Sequence, residues 1–283
     1  MTPTTIITLA ELAVQRDAWA AAGARVAFVP TMGALHQGHL SLVKMAQSLA
    51  DQVVVSIFVN PTQFGPNEDL AKYPRTLKGD LELLSGLEVG AVFLPNTATI
   101  YPDGFQTYVH NKGMAEDLDG VIRPGHFDGV LTVVLKLFNL VQPHVAVFGK
   151  KDYQQWRVIE RMALDLNLPL QIVGAEILRD ADGLALSSRN RYLSDTERAL
   201  AVRLCQGLTA AKEVFKAGSR EPKNVVDACR QVLGDVAGIA LEYSELRRQH
   251  DLTPFAGKID APCVLLVAGR VGSTRLIDNM EMD

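Results

Sequence analysis

Cysteine is scarce in this 283-residue chain, and its three cysteines, Cys205, Cys229 and Cys263, are far apart. They form neither a CxxC pair nor a spacing typical of metal ligands, which favours reduced thiols over a disulfide framework or a zinc domain. No apolar run approaches the ~20 residues that span a bilayer. Residues 1–10 also lack the pattern of a signal peptide. We therefore predict a cytoplasmic protein with no membrane contact.

Positive charge is not in excess either, since the formal net charge is −4. This balance gives no general attraction to nucleic acid, and we expect no nucleic-acid partner. No GxGxxG fingerprint follows a strand, and the Gly-x₄-Gly-Lys frame of a P-loop is absent. A nucleophile elbow is also missing. Hydride transfer and acyl hydrolysis are therefore poorly supported.

The first two-thirds of the chain alternates between short apolar runs and segments with helical periodicity. This alternation predicts an α/β fold with a Rossmann-like, doubly wound parallel sheet, in which the strands are buried on both faces. The predicted strands are residues 25–29, 53–59, 89–94, 145–148 and 170–173, and the predicted helices are residues 8–22, 40–49, 80–87, 129–141 and 153–167.

The alternation weakens after about residue 177, which predicts a first domain over residues 1–177 and a smaller α+β domain over residues 178–283. In the second domain, Ser194 followed by Glu197 is the pattern of a capping box and predicts a long helix over 194–216. A further helix is predicted over 222–233. Two strands are predicted over 240–247 and 263–268.

The segment Pro30-Thr31-Met32-Gly33 follows an apolar strand, and His36 and His39 come directly before a predicted helix. Open α/β sheets bind ligands at the carboxyl ends of their strands, and a helix N-terminus favours phosphate. Gly38 would let a ligand approach the backbone closely. Two other interpretations stay open for the histidines: metal ligands without a complete set, or polar residues that face solvent.

Three further polar segments follow strands or lie near the domain junction. Asn60 and Gln63 offer amide donors and acceptors, although turn chemistry before proline also explains Asn60. Lys150 and Lys151 form either a phosphate site or a solvated pair. The segment Ser187-Ser188-Arg189 suits phosphate oxygens, and a polar interdomain loop explains it equally well. In the segment 123–129, we expect His126 to form structural hydrogen bonds rather than to act in catalysis.

Taken in order, these segments resemble the pantoate–β-alanine ligase family. No single block is specific, but the ordered set is, and it covers nearly all of the N-terminal two-thirds. The C-terminal third resembles the family mainly in layout. The blocks are Val29-Pro30-Thr31-Met32-Gly33, His36-Gln37-Gly38-His39, residues 56–61, residues 73–76, residues 123–127, residues 138–143, Lys151-Asp152-Tyr153-Gln154-Gln155, residues 186–190 and Arg275-Leu276-Ile277-Asp278-Asn279.

The resemblance implies an ATP-binding domain of the nucleotidyltransferase type, a small C-terminal domain that covers the site, and a homodimer. It implies ligation of pantoate to β-alanine through pantoyl adenylate, with release of AMP and pyrophosphate. This reaction belongs to the biosynthesis of pantothenate (vitamin B5) and of coenzyme A. The substrates would be ATP, pantoate and β-alanine, with Mg²⁺ accompanying ATP.

The resemblance also assigns roles to individual residues. The expected catalytic residues are His36, His39, Lys151 and Arg189, with His39 as general acid or as a charge-stabilising group. Gln63 and Gln155 are expected to bind pantoate, with Asn60 beside them. Asp80 is the expected partner of Mg²⁺. The expected ATP-binding residues are Met32, Gly33, His36, Gly38, His39, Gly149, Lys150, Lys151, Asp152, Leu178, Leu186, Ser187, Ser188 and Arg189.

Two other hypotheses compete with the ligase. A nucleotidyltransferase that passes AMP or CMP to a phosphorylated acceptor would share the fold and the His-x-Gly-His motif, but it would not need Gln63 and Gln155. A nucleotide-sensing module would bind ATP without turnover. The polar composition of residues 187–192 also suggests a loop that closes over the site.

Overall fold

The computed structural model describes residues 3–66, 68–234 and 236–282, and its contacts divide the chain into two compact units. The first unit contains the chain up to Lys150 together with Gln155–Glu176. The second contains Ile177 onward together with the short segment Lys151–Gln154. The division after Glu176 lies one residue before the predicted boundary. The grouping of residues 151–154 with the C-terminal part is a feature that periodicity does not indicate.

The first unit is built on a six-stranded sheet in which every pair of neighbouring strands is parallel. The strand order is β1-β4-β3-β2-β5-β6, so the winding reverses at β2, which pairs with β3 on one side and β5 on the other. The predicted doubly wound α/β fold is therefore confirmed. The strands are β1 (Thr5–Ile6), β2 (Val26–Thr31), β3 (Gln52–Ile57), β4 (Ala91–Phe93), β5 (Val145–Gly149) and β6 (Gln171–Ala175).

Helices cover both faces of this sheet, which explains why its central strands read as continuous apolar runs. On one face, Val29 and Val55 pack in a cluster with Val43 of α2 and Leu84 of α3. On the other face, the ring of Phe28 meets that of Phe138 of α6 edge-on, 6.3 Å between centroids. The helices are α1 (Leu9–Ala21), α2 (Gln37–Leu49), α3 (Leu77–Ser85), α4 (Thr97–Ile100), α5 (Asp119–Ile122), α6 (His126–Val141) and α7 (Tyr153–Asp165).

The second unit combines two helices with a three-stranded antiparallel sheet. The helices α8 (Asp195–Lys216) and α9 (Pro222–Leu233) match their predicted bounds closely, and the capping box of Ser194 and Glu197 is present. The strands are β7 (Ile239–Arg248), β8 (Cys263–Val271) and β9 (Thr274–Met282) in that spatial order. Periodicity missed β9 because the buried polar residues Asp278 and Asn279 interrupt its apolar alternation.

None of the described helices is both long enough and apolar enough to cross a membrane.

Helix α6 approaches the 3₁₀ turn Pro61–Gln63 so closely that only glycine fits at the contact. A Cβ on Gly129 would lie 2.5 Å from the carbonyl oxygen of Thr62. The contact is backbone against helix, so neither partner has a flexible end that could move aside. Gly129 therefore sets the position of the turn that carries Gln63.

We expect Gly129→Ala to lower the free energy of unfolding by about 1–3 kcal/mol, the usual cost of overpacking a close contact. Urea denaturation measures this change. The control is Gly79→Ala in α3, where an added Cβ meets nothing within 4 Å. That substitution should stabilise the protein by up to about 1 kcal/mol, because alanine favours the helix. Equal effects of the two substitutions would contradict the packing argument.

Candidate active site

Three of the polar segments predicted from the sequence follow three neighbouring strands of the first sheet. The histidine segment follows β2, Asn60 and Gln63 follow β3, and Lys150 follows β5. Since β3, β2 and β5 are adjacent and parallel, their carboxyl ends lie at one edge. The winding also reverses there, and a crevice at such a point is where open α/β sheets bind ligands.

His36 and His39 form the N-terminal cap of α2, and this is an unusual use of histidine. His36 is the N-cap residue, and its Nδ1 accepts the N–H of Gly38 at 3.1 Å. His39 reaches back, and its Nδ1 accepts the N–H of His36 at 3.3 Å. The two rings lie 4.1 Å apart between centroids. The predicted start of α2 at residue 40 is thus wrong by three residues, because imidazoles replace the usual Ser, Thr, Asp or Asn cap.

The caps determine which nitrogen of each ring carries the proton. A nitrogen that accepts a peptide N–H has no hydrogen of its own, so the neutral rings are protonated at Nε2. Each imidazole can therefore donate a hydrogen bond through Nε2 while its Nδ1 accepts a backbone N–H at the start of α2. The pair sits at the positive end of the α2 dipole, where an anionic group is stabilised.

The turn before α2 is held by the carboxylate of Asp80, which is only 2% exposed. Its Oδ2 accepts the N–H of Ala34 at 3.0 Å, and its Oδ1 accepts the N–H of Leu35 at 2.8 Å. The hydroxyl of Thr76 donates to Oδ1 as well, at 3.1 Å. Gly33 and Ala34 both have positive φ, 81° and 52°, so the turn is strained and needs this support.

Both carboxylate oxygens of Asp80 accept hydrogen bonds from the chain, so Asp80 orients the turn. Its assignment as a partner of Mg²⁺ stays a prediction. Within residues 3–66, 68–234 and 236–282, no cluster of three or more His, Cys, Asp or Glu side chains could hold a metal ion. The interpretation of the histidine pair as metal ligands has no complete ligand set there.

Asn60 is 1% exposed and uses its whole amide within the chain. Its Nδ2 donates to the carbonyl of Gly129 at 3.1 Å and to Oε1 of Gln63 at 3.0 Å. Its Oδ1 accepts the hydroxyls of Tyr101 at 2.8 Å and Thr62 at 3.0 Å. Asn60 therefore orients Gln63, and its place in the substrate site stays a prediction.

The orientation of Gln63 follows from these bonds. Because the Gly129 carbonyl requires a donor, Nδ2 of Asn60 must face it, and Oε1 of Gln63 then faces Asn60. The donor Nε2 of Gln63 is directed to the other side. Gln155 lies in the first turn of α7, after β5, and is half-buried. Both glutamines are thus placed in segments that follow strands flanking β2.

The backbone of Gln63 is held by a second group that sequence analysis found only in part. His126 is buried, and its Nδ1 lies 2.8 Å from the Gln63 carbonyl while its Nε2 lies 2.9 Å from Nη1 of Arg123. Burial, and then the charge of Arg123, lower the pKa of His126 to about 4. The neutral ring accepts from Arg123 and donates to Gln63. Arg123 in turn pairs with Glu68 at 2.6 Å.

The expectation that His126 is structural agrees with this geometry, whereas Tyr101 and Glu68 were missed. Neither has a sequence signal of its own, because each is recognisable only through a partner about 40 or more residues away.

The remaining predicted nucleotide residues lie mostly in the second unit. The N–H of Leu186 donates to the carbonyl of Leu178 at 2.9 Å, which brings these two residues together. Ser187 caps the 3₁₀ turn Ser188–Tyr192, with its Oγ accepting the N–H of Arg189 at 3.3 Å. Lys151 and Asp152 belong to the same unit, with Nζ of Lys151 3.9 Å from Oδ1 of Asp152.

Lys150 differs from Lys151 in its surroundings. Its ammonium is 2.5 Å from Oε1 of Glu176 and 5.8 Å from the ring centroid of Trp156. All three residues belong to the first unit. The charge of Lys150 is therefore balanced locally, and its place among the ATP-binding residues stays a prediction. Gly149 is the last residue of β5 and pairs with Ala175, and Met32 lies half-buried directly after β2.

We expect Asp80→Asn to lower the free energy of unfolding by about 1–3 kcal/mol, because the new amide group turns a donor toward a buried peptide N–H. Urea denaturation gives the value, and the control is Asp17→Asn at a side chain that is 73% exposed. The control should change stability by less than about 0.5 kcal/mol. A loss no larger than that of the control would show that the turn does not depend on the carboxylate.

Comparison with known proteins gives a consistent result over the whole chain. The family model described as pantoate–β-alanine ligase matches residues 4–281. A pantothenate synthetase of Syntrophotalea carbinolica is 50% identical over 258 residues, 91% of each chain. One of Xanthomonas campestris pv. campestris is 48% identical over 282 residues, 98% of this chain and 99% of the relative.

Solved structures agree with this. A crystal structure of pantothenate synthetase from Thermus thermophilus has a TM-score of 0.92 and 43% identity, with 99% of both chains covered. A pantoate–β-alanine ligase from Francisella tularensis, complexed with β,γ ATP and β-alanine, has a TM-score of 0.79 and 33% identity over 99% of this chain and 98% of that one. On this evidence, and with the site geometry above, the chain belongs to the pantoate–β-alanine ligase family of enzymes.

Proposed function

We propose that this protein joins pantoate to β-alanine in an ATP-dependent reaction that passes through pantoyl adenylate. The proposal rests on the polar groups at the edge of the sheet where β2 and β3 end. After β2 come the two imidazoles that cap α2 and carry a hydrogen on Nε2, and after β3 comes the oriented amide of Gln63. Adenylation of an acid requires hydrogen-bond donors for the phosphate oxygens and a site that binds a small polar acid. Membership of the ligase family supports the same reaction.

In the first step, a carboxylate oxygen of pantoate attacks the α-phosphorus of ATP. The bond from that phosphorus to the bridging oxygen breaks, and pyrophosphate leaves with the electron pair. Negative charge grows on the phosphate oxygens, so donors placed in advance lower the barrier. We assign this role to His36 and His39, to the N-terminus of α2, and to Lys151, Ser187, Ser188 and Arg189.

The caps of α2 favour one of the two roles considered for His39. An imidazole that donates through Nε2 while Nδ1 accepts a peptide N–H is suited to stabilising charge on a phosphate oxygen. A general acid would instead be the imidazolium, whose Nδ1 carries a hydrogen and cannot accept the N–H of His36. The geometry therefore supports charge stabilisation by His39.

In the second step, the amine of β-alanine attacks the carbonyl carbon of the adenylate. The carbon–oxygen bond to AMP breaks, AMP leaves with the electron pair, and the nitrogen loses a proton to solvent as the amide forms. We assign Gln63 and Gln155 to pantoate, with Nε2 of Gln63 donating to its oxygens. Asn60 and Tyr101 orient Gln63.

Mg²⁺ is proposed as a companion of ATP. Among the described residues, no group of three or more His, Cys, Asp or Glu side chains could hold it. Magnesium often keeps its waters and binds substrate phosphates with few protein ligands. Asp80 stays its proposed protein partner, and the same carboxylate also supports the turn before α2.

We further propose that the first unit binds ATP and pantoate and that the second acts as the covering domain. Residues 151–154 are grouped with that second unit. We also propose that the protein forms a homodimer, lies in the cytoplasm and acts in coenzyme A biosynthesis, and membership of the ligase family supports these proposals.

Release of AMP from ATP tests the function directly. With Mg²⁺ and pantoate, we expect sustained AMP release only when β-alanine is added, and mass spectrometry should detect pantothenate. AMP or CMP transfer to a phosphorylated acceptor, with no amide product, would instead identify a nucleotidyltransferase. ATP binding without any turnover would identify a sensing module.

His39→Ala and Lys151→Ala should each lower pantoate adenylation by about 100-fold or more, the scale for losing one charge-stabilising group. Pantoate-dependent exchange of pyrophosphate into ATP measures this step alone. Matched controls are His250→Ala and Lys223→Ala, whose side chains are 74% and 84% exposed. Near-normal exchange in both site variants would remove the roles assigned here.

A further inference from the structure

Strand β9 contacts the segment that carries Lys151 at two points: the hydroxyl of Tyr153 donates to Oε1 of Glu281 at 3.0 Å, and Asn279 bonds to the backbone of Lys151 itself. Asn279 is 3% exposed, and its Nδ2 donates to the backbone carbonyl of Lys151 at 3.0 Å. Both residues belong to the second unit. The carbonyl lies in the 3₁₀ turn Lys150–Asp152, directly before α7. The main chain at Lys151 is therefore attached to a strand that lies 128 residues further along the chain.

The position of Asn279 is itself determined by an ion pair. Asp278 is 4% exposed and forms a bidentate pair with Arg179, at 2.7 and 2.9 Å. Oδ1 of Asp278 also accepts the N–H of Asn279 at 2.8 Å, and Nη2 of Arg179 donates to the Asn279 carbonyl at 3.3 Å. The backbone N–H and the backbone carbonyl of Asn279 are thus both bonded to this pair. A pair with a buried carboxylate and a half-buried guanidinium is weak evidence for stability, but its bidentate geometry is specific.

The same arginine holds the second predicted phosphate segment. Nη1 of Arg179 donates to the carbonyl of Gly183 at 3.1 Å, and Arg179 forms a β-bridge with Ala185. Residues 186–189 follow this bridge directly. One network of Arg179, Asp278 and Asn279 therefore connects the backbone at Lys151 with the approach to Ser187 and Arg189.

We propose that Asn279 is a positioning residue for Lys151. The Arg179–Asp278 pair then fixes the backbone at Lys151 and the segment Ser187–Arg189 in one arrangement. The cations and hydroxyls of both segments then meet the triphosphate as a preformed set, and less reorganisation is needed as charge develops. This inference rests on the proposed function, since it gives Lys151 the adenylation role assigned above.

The test uses the full-length protein and two variants of one residue. Asn279→Ala removes the amide and some volume, whereas Asn279→Leu removes the amide, keeps about the same volume and adds no charge. The control is Leu276→Val, which trims a buried core side chain of the same strand. Circular dichroism checks that each variant is folded. The readouts are pyrophosphate exchange kinetics and hydrogen–deuterium exchange of peptides covering residues 149–156.

We expect both Asn279 variants to lower kcat for adenylation by about 10- to 100-fold, the effect of misplacing a catalytic group by roughly 1 Å. KM for pantoate should change less than about twofold, because pantoate is assigned to the other unit. Amides of residues 151–154 should exchange faster. Leu276→Val should leave both kcat and these amides unchanged.

A double-mutant cycle separates positioning from general destabilisation. In a Lys151→Ala background, Asn279→Ala should cost less than about threefold more, because a residue that acts through Lys151 has nothing left to position. Equal losses with and without Lys151 would overturn the proposal, as would unchanged 151–154 amide exchange and kcat in both Asn279 variants. If the unmodified protein does not adenylate pantoate, the proposed function fails, and amide exchange still decides whether Asn279 holds the segment.

Discussion

The architecture of the first unit depends on how a buried carboxylate satisfies a strained turn. Asp80 accepts the peptide N–H groups of Ala34 and Leu35 where the backbone passes through two consecutive residues with positive φ. Without these bonds, two buried donors would lack partners at a cost that the turn could not recover locally. The turn delivers the chain to His36 at the start of α2. The placement of both imidazoles therefore follows from an aspartate more than forty residues away.

A second principle is that each functional polar group is oriented by a neighbour with no alternative. Asn60 cannot rotate its amide because Gly129 needs a donor and Tyr101 needs an acceptor. Gln63 must then direct its donor nitrogen away from Asn60. The neutral ring of His126 fixes the backbone of the same residue. Orientation set in this way avoids the entropy cost of ordering the side chains when substrate binds.

The second unit solves a similar problem with charge. The pair of Arg179 with the buried Asp278, together with Asn279, supports two segments that carry cations and hydroxyls. Loops suit ligand contact because their backbone groups remain available, but they need support from regular elements. Strand β9 supplies that support. This is also why its alternation is broken by polar residues, and why periodicity did not reveal it as a strand.

Sequence alone determined the α/β class, most helices and strands, the capping box at Ser194, and the blocks that resemble the ligase family. These features are local or ordered along the chain, so periodicity and spacing reveal them. Only the tertiary structure decided that Asp80 supports a turn, that Asn60 orients Gln63, that Lys150 is balanced by Glu176, and that Asn279 binds Lys151. Each of these roles depends on a hydrogen bond or ion pair whose two partners meet only after folding. The sequence determines the chemistry of each side chain, but the fold determines which group it bonds to.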